Sequence, residues 1–208
     1  VARSAYINRY VRFFNGQSLK GRRLLFYQHS AVGRDLVVEI LKQLGAEVIP
    51  SGRSEVFVPI DTENIDSEQL NTIQSLVDRA AADYGRIDAV VSTDGDSDRP
   101  LILGVDSATG QVRFFGGDLL GMVVAEYLGV DAVVVPISCN DGIDRGNLAA
   151  VTEPKTRIGS PFVIAGMEAA LAKVKRVVSG WEANGGFLTA SDINREGRVL
   201  SALPTRDA

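Results

Sequence analysis

The sequence predicts an α/β protein of two tandem domains, each a mixed β-sheet packed with helices. Three observations carry this expectation. Apolar runs of strand length alternate with longer segments of helical period along the chain. The helical segments end on Gly45, Gly85 and Gly129, as helices commonly do. The alternation pauses at the turn Asp106-Ser107-Ala108-Thr109-Gly110 and then restarts, so the architecture is expected twice, in domains 1–110 and 111–208.

In chain order, Ala5, Ile7, Tyr10, Val11 and Phe14 mark an amphipathic helix over Ser4–Phe14. Leu24–Tyr27 is a short strand, followed by a turn from His29 to Asp35 into a helix buried through Leu36, Val37, Ile40, Leu41 and Leu44. That turn could offer backbone donors at a helix N-terminus, but it lacks a glycine-rich phosphate fingerprint and reads as structural. Ala46–Pro50 is the next strand, and Gly52–Thr62 a loop in which Pro59 argues against a central strand. Asp66 with Gln69 resembles a capping box for a helix whose stripe is Leu70, Ile73, Leu76, Val77, Ala80 and Tyr84. Strands follow at Ile87–Val91 and Leu101–Val105. The second half offers a helix over Asp118–Leu128, a strand over Ala132–Ile137, a polar stretch 138–147 with no assignment, a helix over Val163–Val174 and a strand over Arg176–Ser179.

Composition narrows the function. A chain of 208 residues, 45% hydrophobic and 23% charged, can bury one large or two small cores. A net charge of −4 with interspersed signs argues against a nucleic-acid partner. No apolar run reaches membrane-span length and no signal peptide is present. One cysteine, Cys139, permits no intrachain disulfide and suits a reducing cytoplasm; it reads as a buried bystander. The lone histidine, His29, rules out the usual multi-histidine zinc sites and reads as a satisfied strand-end residue.

The chemistry concentrates in Asp94-Gly95-Asp96-Ser97-Asp98-Arg99, between two strands. Two aspartates around a glycine suit a solvated hairpin corner. Three on alternate positions repel one another and favour capture of a hard divalent cation, with Arg99 a possible phosphate donor. An EF-hand loop fits poorly, because its glycine and glutamate positions fall on Arg99 and Val105. An aspartyl phosphatase of the haloacid dehalogenase type would use Asp94 as nucleophile, but has no use for Asp98-Arg99. A non-enzymatic sugar- or metal-binding module is the remaining alternative.

This hexapeptide resembles the metal-binding loop of the phosphohexomutases (phosphomannomutase and phosphoglucomutase). Thr156-Arg157-Ile158-Gly159-Ser160, followed by an apolar helix with Met167, resembles the segment leading into that family's third-domain helix. Gly180-Trp181-Glu182-Ala183-Asn184-Gly185-Gly186 resembles its sugar-recognition loop, usually written with serine where Asn184 stands. The likeness runs over nearly the whole chain and corresponds to the second and third domains only. It implies an intramolecular phosphotransferase, an isomerase of carbohydrate metabolism acting on hexose phosphates, mannose or glucose, through a phosphoserine and a bisphosphate intermediate. Asp94, Asp96 and Asp98 would bind Mg²⁺, and Arg99 would contact the phosphoryl oxygens. Glu182 and Asn184 would hold sugar hydroxyls, with Arg157 and Lys155 near phosphate and Trp181 packing under the loop. Asparagine at 184 changes the reach of that loop, and Gly186 and Ser160 provide no imidazole where some members carry histidine.

No loop like Thr-Ala-Ser-His-Asn-Pro, for the phosphoserine, or Arg-Pro-Ser-Gly-Thr, for the distal phosphate, is found. These belong to the family's first and fourth domains, so the expected partners are those domains of the same polypeptide, and the piece alone is expected to be inactive. The chain opens on Val1, and its end suggests a helix start, with Pro204 in a turn and Thr205 or Asp207 as cap. It therefore reads as cut at both ends.

Overall fold

The computed structural model describes residues 2–203 together with Thr205 and Arg206. Pro204 and Asp207, the expected turn and cap residues, lie outside the described residues, and Thr205 stands in a bend. The chain divides into two compact units, Val1–Phe115 and Gly116–Ala208.

The first unit runs α1 (Ala2–Phe13), β1 (Arg23–His29), α2 (Arg34–Gln43), β2 (Glu47–Arg53), α3 (Ser67–Tyr84), β3 (Ala89–Thr93), β4 (Pro100–Val105) and β5 (Val112–Phe115). Its sheet has the order β2-β1-β3-β4-β5, with β2, β1 and β3 parallel and β4 and β5 antiparallel. Central β1 is apolar on both faces because each is covered. Leu24 and Phe26 pack with Val38 of α2, whereas Leu25 and Tyr27 pack with Ile73 and Val77 of α3. Helix α1 closes over α2 through Ile7, Ile40 and Leu44. The chain leaves β1 towards β2 on one side and returns to β3 on the other, so the carboxyl ends of β1 and β3 adjoin where strand order reverses. Open α/β sheets place ligands at such a point.

Three details differ from the sequence expectation. Strand β2 continues through Ser51, Gly52 and Arg53, which an edge strand permits despite Pro50. Asp66 caps α3 by accepting from the Gln69 N–H at 2.7 Å, but the Gln69 side chain donates to the Pro59 carbonyl instead of completing a capping box. Residue 110 lies in the turn between β4 and β5, so β5 joins the first unit and the division falls at 115/116.

The second unit comprises α4 (Gly117–Leu128), β6 (Ala132–Val134), α5 (Ser160–Ala172), β7 (Val178–Trp181), β8 (Phe187–Thr189), β9 (Ile193–Arg195) and β10 (Arg198–Leu200). Its three-stranded sheet, β6-β7-β8, pairs β6 with β7 in parallel and β7 with β8 antiparallel. A separate hairpin joins β9 to β10. Val134, Val163, Met167 and Leu188 form the centre of its core. The expected strand over 132–137 stops at Val134, continuing only as an isolated bridge at Pro136. The helix stops at Ala172, and the strand expected over 176–179 spans 178–181. The unassigned stretch contains a short 3₁₀ turn, Asp141–Asp144, anchored by buried Ile143.

Helix α4 rests on β7 through glycine. A Cβ at Gly121 would stand 2.5 Å from three ring atoms of Trp181, whose side chain is 1% exposed and stacked on Phe187. Alanine in place of glycine gains about 1 kcal/mol of helix propensity. Forcing a methyl into a closed core costs roughly 1–3 kcal/mol, and here the obstacle is a rigid indole. Gly121→Ala is therefore expected to lower the urea midpoint, followed through the fluorescence of Trp181, the only tryptophan. A raised midpoint would show that α4 is free to lift off β7.

Candidate functional site

Register builds the aspartate turn. Thr93 pairs with Pro100 across β3 and β4, leaving the six residues 94–99 to close the loop at the carboxyl end of β3. Asp94 is buried, and its Oδ1 accepts from the backbone N–H groups of Asp98 and Arg99, each at 3.2 Å. The Asp94 N–H donates in return to the Arg99 carbonyl at 3.0 Å. The loop reverses at Ser97, which holds a left-handed φ of 67°. As a result one ligand oxygen from each of Asp94, Asp96 and Asp98 lies within 4.8 Å of the others. Arg99 runs alongside, its Nε 3.8 Å from Asp94 Oδ2 and 3.7 Å from Asp98 Oδ1.

The turn after β1 braces this loop from the neighbouring strand. The Gly33 N–H donates to Ser97 Oγ at 2.9 Å and the Val32 N–H to the Gly95 carbonyl at 3.0 Å. Thr93 Oγ1 lies 3.0 Å from Ser97 Oγ. His29 Nε2 lies 2.8 Å from the Thr93 carbonyl and must carry the proton there, since a carbonyl only accepts. Burial holds this imidazole below its ordinary pKa, so the ring is neutral. His29 is thus satisfied at one nitrogen only; Nδ1 has no partner among the described residues.

The second constellation lies on the hairpin between β7 and β8. Trp181 pairs with Phe187, so the loop is 182–186. The Gly185 N–H donates to the Glu182 carbonyl at 2.9 Å, and the Gly186 N–H to Asn184 Oδ1 at 2.9 Å. Glu182 and Asn184 are buried polar side chains, each 7% exposed. The loop is tight because α4 begins against it; a Cβ on Gly117 would stand 2.1 Å from the Gly185 nitrogen. Trp181 packs beneath, as expected.

The structure separates the two cationic candidates. Lys155 Nζ is engaged by Asp141 at 2.7 Å, Asp144 at 2.9 Å and the Cys139 carbonyl at 3.3 Å, so it fastens the 3₁₀ turn. Exposed Arg157 lies on the loop before α5, its guanidinium 5.8 Å from the centre of the Phe162 ring. The bridge from Thr156 to Pro136 puts that loop beside the extension of β6, two strand spacings, or about 10 Å, from β7. Burial, reinforced by a hydrogen bond to Asp118, drives the Cys139 thiol pKa upward, leaving it a poor nucleophile. The sequence reading missed Arg206, which forms an ion pair with Glu182; no spacing or motif marks it.

The donor set suits a hard cation: three carboxylates, converging, one of them buried. Burial raises the pKa of Asp94 above the ordinary carboxylate range, and the hydrogen bond and charge of Asp96 raise it further. The raised pKa means that the folded chain holds this proton more tightly than the unfolded one. Without a cation, the stability contributed by Asp94 is complete below about pH 4, the ordinary value, and is lost as pH rises through the raised one. In EDTA, the melting temperature of the wild type relative to Asp94→Asn is therefore expected to fall as pH rises above about 4. Millimolar Mg²⁺ should abolish the trend. A difference independent of pH would show that Asp94 titrates as an exposed carboxylate.

Comparison with known proteins identifies the family. A model of the phosphoglucomutase/phosphomannomutase alpha/beta/alpha domain II matches residues 4–107. The chain is 44% identical over 208 residues to a phosphomannomutase of Salmonella muenchen, covering all of this chain and 41% of that protein. It is 42% identical over 202 residues to a phosphomannomutase of Sinorhizobium fredii (strain NBRC 101917 / NGR234), covering 97% of this chain and 40% of that one. It thus spans about two fifths of the length of the curated relatives it matches. The solved structure of a phosphoglucomutase/phosphomannomutase family protein from Burkholderia thailandensis shares the fold, with a TM-score of 0.64 at 17% identity over 91% of this chain and 39% of that one. Since the domain model spans half of the sequence and contains the aspartate turn, this chain belongs to the phosphoglucomutase/phosphomannomutase family.

Proposed function

We propose that this chain is the metal-binding and sugar-binding middle of a phosphomannomutase or related phosphohexomutase. The whole enzyme interconverts hexose 1-phosphate and hexose 6-phosphate through a phosphoserine and a bisphosphate intermediate. The observation that carries this reading is the convergence of three carboxylates on a loop clamped at both ends by sheet register. The phosphomannomutases of similar sequence support it.

In this reading Asp94, Asp96 and Asp98 hold Mg²⁺. The ion would neutralise charge on the phosphoryl group in transfer. Arg99, held along the carboxylates, donates to phosphoryl oxygens, to which its planar fork is well matched. Glu182 and Asn184 orient sugar hydroxyls: a buried carboxylate accepts strongly, and hydrogen-bonded hydroxyls discriminate well between sugars. Arg157, exposed beyond the same carboxyl end of β6 and β7, contacts the substrate phosphate. The phosphoserine and the distal-phosphate loop belong to other domains of the same polypeptide, so these residues alone do not turn over. A single buried, unbridged cysteine fits a cytoplasmic enzyme.

Each half of this reading has its own test. Asp96→Asn removes one of three ligand charges and should weaken Mg²⁺ binding at least about tenfold by calorimetry. Unchanged affinity would remove the metal from the turn. In the full-length enzyme, Glu182→Gln loses a charge-assisted hydrogen bond of about 1.5–3 kcal/mol, a ten- to hundredfold fall in kcat/KM, with the Mg²⁺ requirement intact. Normal sugar kinetics with altered Mg²⁺ dependence would show that Glu182 serves the metal.

A further inference from the structure

Arg206 reaches back onto the 182–186 loop. Its guanidinium pairs with Glu182 Oε2, and both side chains are nearly enclosed, 16% and 9% exposed. Its stem crosses Gly186 so closely that a Cβ there would stand 2.6 Å from Arg206 Cδ and 2.7 Å from Nε. Gly186 is not among the residues of left-handed φ. A side chain there would crowd Arg206 first and Asn184 Oδ1, at 3.1 Å, next, so glycine leaves both in place.

A carboxylate this enclosed is costly to keep charged without a partner. A lysine could supply the charge, but the planar fork of arginine also fixes the direction of the carboxylate. With Arg206 on Oε2, the carboxylate is held in one orientation, its other oxygen remaining to accept.

We infer that Arg206 is a positioning residue for Glu182, holding its carboxylate in the orientation aimed at substrate hydroxyls, and that Gly186 leaves room for it. The inference rests on the proposed sugar-binding role of Glu182. It assigns specificity for the hexose to an ion pair, not to Glu182 alone.

The test uses the full-length enzyme and hexose 1-phosphate. Arg206→Ala should lower kcat/KM about ten- to hundredfold, mainly through KM, with the Mg²⁺ dependence unchanged. Arg206→Lys should restore part of the loss, and so should guanidinium ion added to Arg206→Ala at concentrations below those that unfold it. Gly186→Ala, which leaves Arg206 present but displaced, should resemble Arg206→Ala. Arg206→Ala with Glu182→Gln should be little worse than Glu182→Gln alone, because the two residues act as a unit. Wild-type kinetics in Arg206→Ala beside an impaired Glu182→Gln would overturn the inference while sparing the role of Glu182. Wild-type sugar kinetics in Glu182→Gln would remove that role instead. The pair itself would then be judged by urea unfolding of the single and double variants, where additive losses overturn it and coupled losses sustain it.

Discussion

The Asp94 carboxylate closes the turn that carries it. Its Oδ1 binds the N–H groups four and five residues ahead, drawing Asp98 and Arg99 back beside Asp94. The same residue is desolvated at the end of a buried strand and faces the charge of Asp96. These demands conflict: the backbone donors favour the ionised form, whereas burial and the neighbouring acid oppose it. A divalent cation held by Asp94, Asp96 and Asp98 would resolve the conflict, since it would supply the opposing charge and leave the two backbone bonds in place. The loop is thus closed by bonds that need no cation.

The loop is held by the sheet behind it. The antiparallel register of β3 and β4 sets its ends, His29 of β1 holds the Thr93 carbonyl just before it, and the turn after β1 braces its middle through Val32 and Gly33. In the second unit, a parallel strand pair again delivers polar residues at its carboxyl end, but the brace comes from a helix. Gly117 and Gly121 let α4 approach until backbone and indole touch. Thus each site is a short loop whose freedom is removed by an element distant in sequence.

Some of this was legible from residue order. Long periodic segments announced α2, α3 and α4, and apolar runs announced β1, β3, β4 and β6. What escaped was short or weakly patterned: β5, an edge strand of four residues paired with β4, and β8, β9 and β10 of three residues each. Three residues hold no period. Pairing partners decide such strands, and partners are not written locally. The division lies at 115/116, within several residues of the turn that ends on Gly110, and β5 between them is recognised only by its ladder to β4.

For the sites, the sequence by itself determined the candidate chemistry. Carboxylates on alternate positions after a buried strand, and a glutamate among small residues after another, are local patterns whose physical reasons are local. The tertiary structure decided which charges are bound to which. Lys155 and Arg157 are two residues apart and equally plausible on paper; three oxygen partners from Cys139, Asp141 and Asp144 hold the first, while the second stays exposed. Arg206 is 24 residues from Glu182 and carries no motif, yet it meets the carboxylate directly. Ion pairs form where the folded chain brings opposite charges together out of water, and only the fold sets that distance.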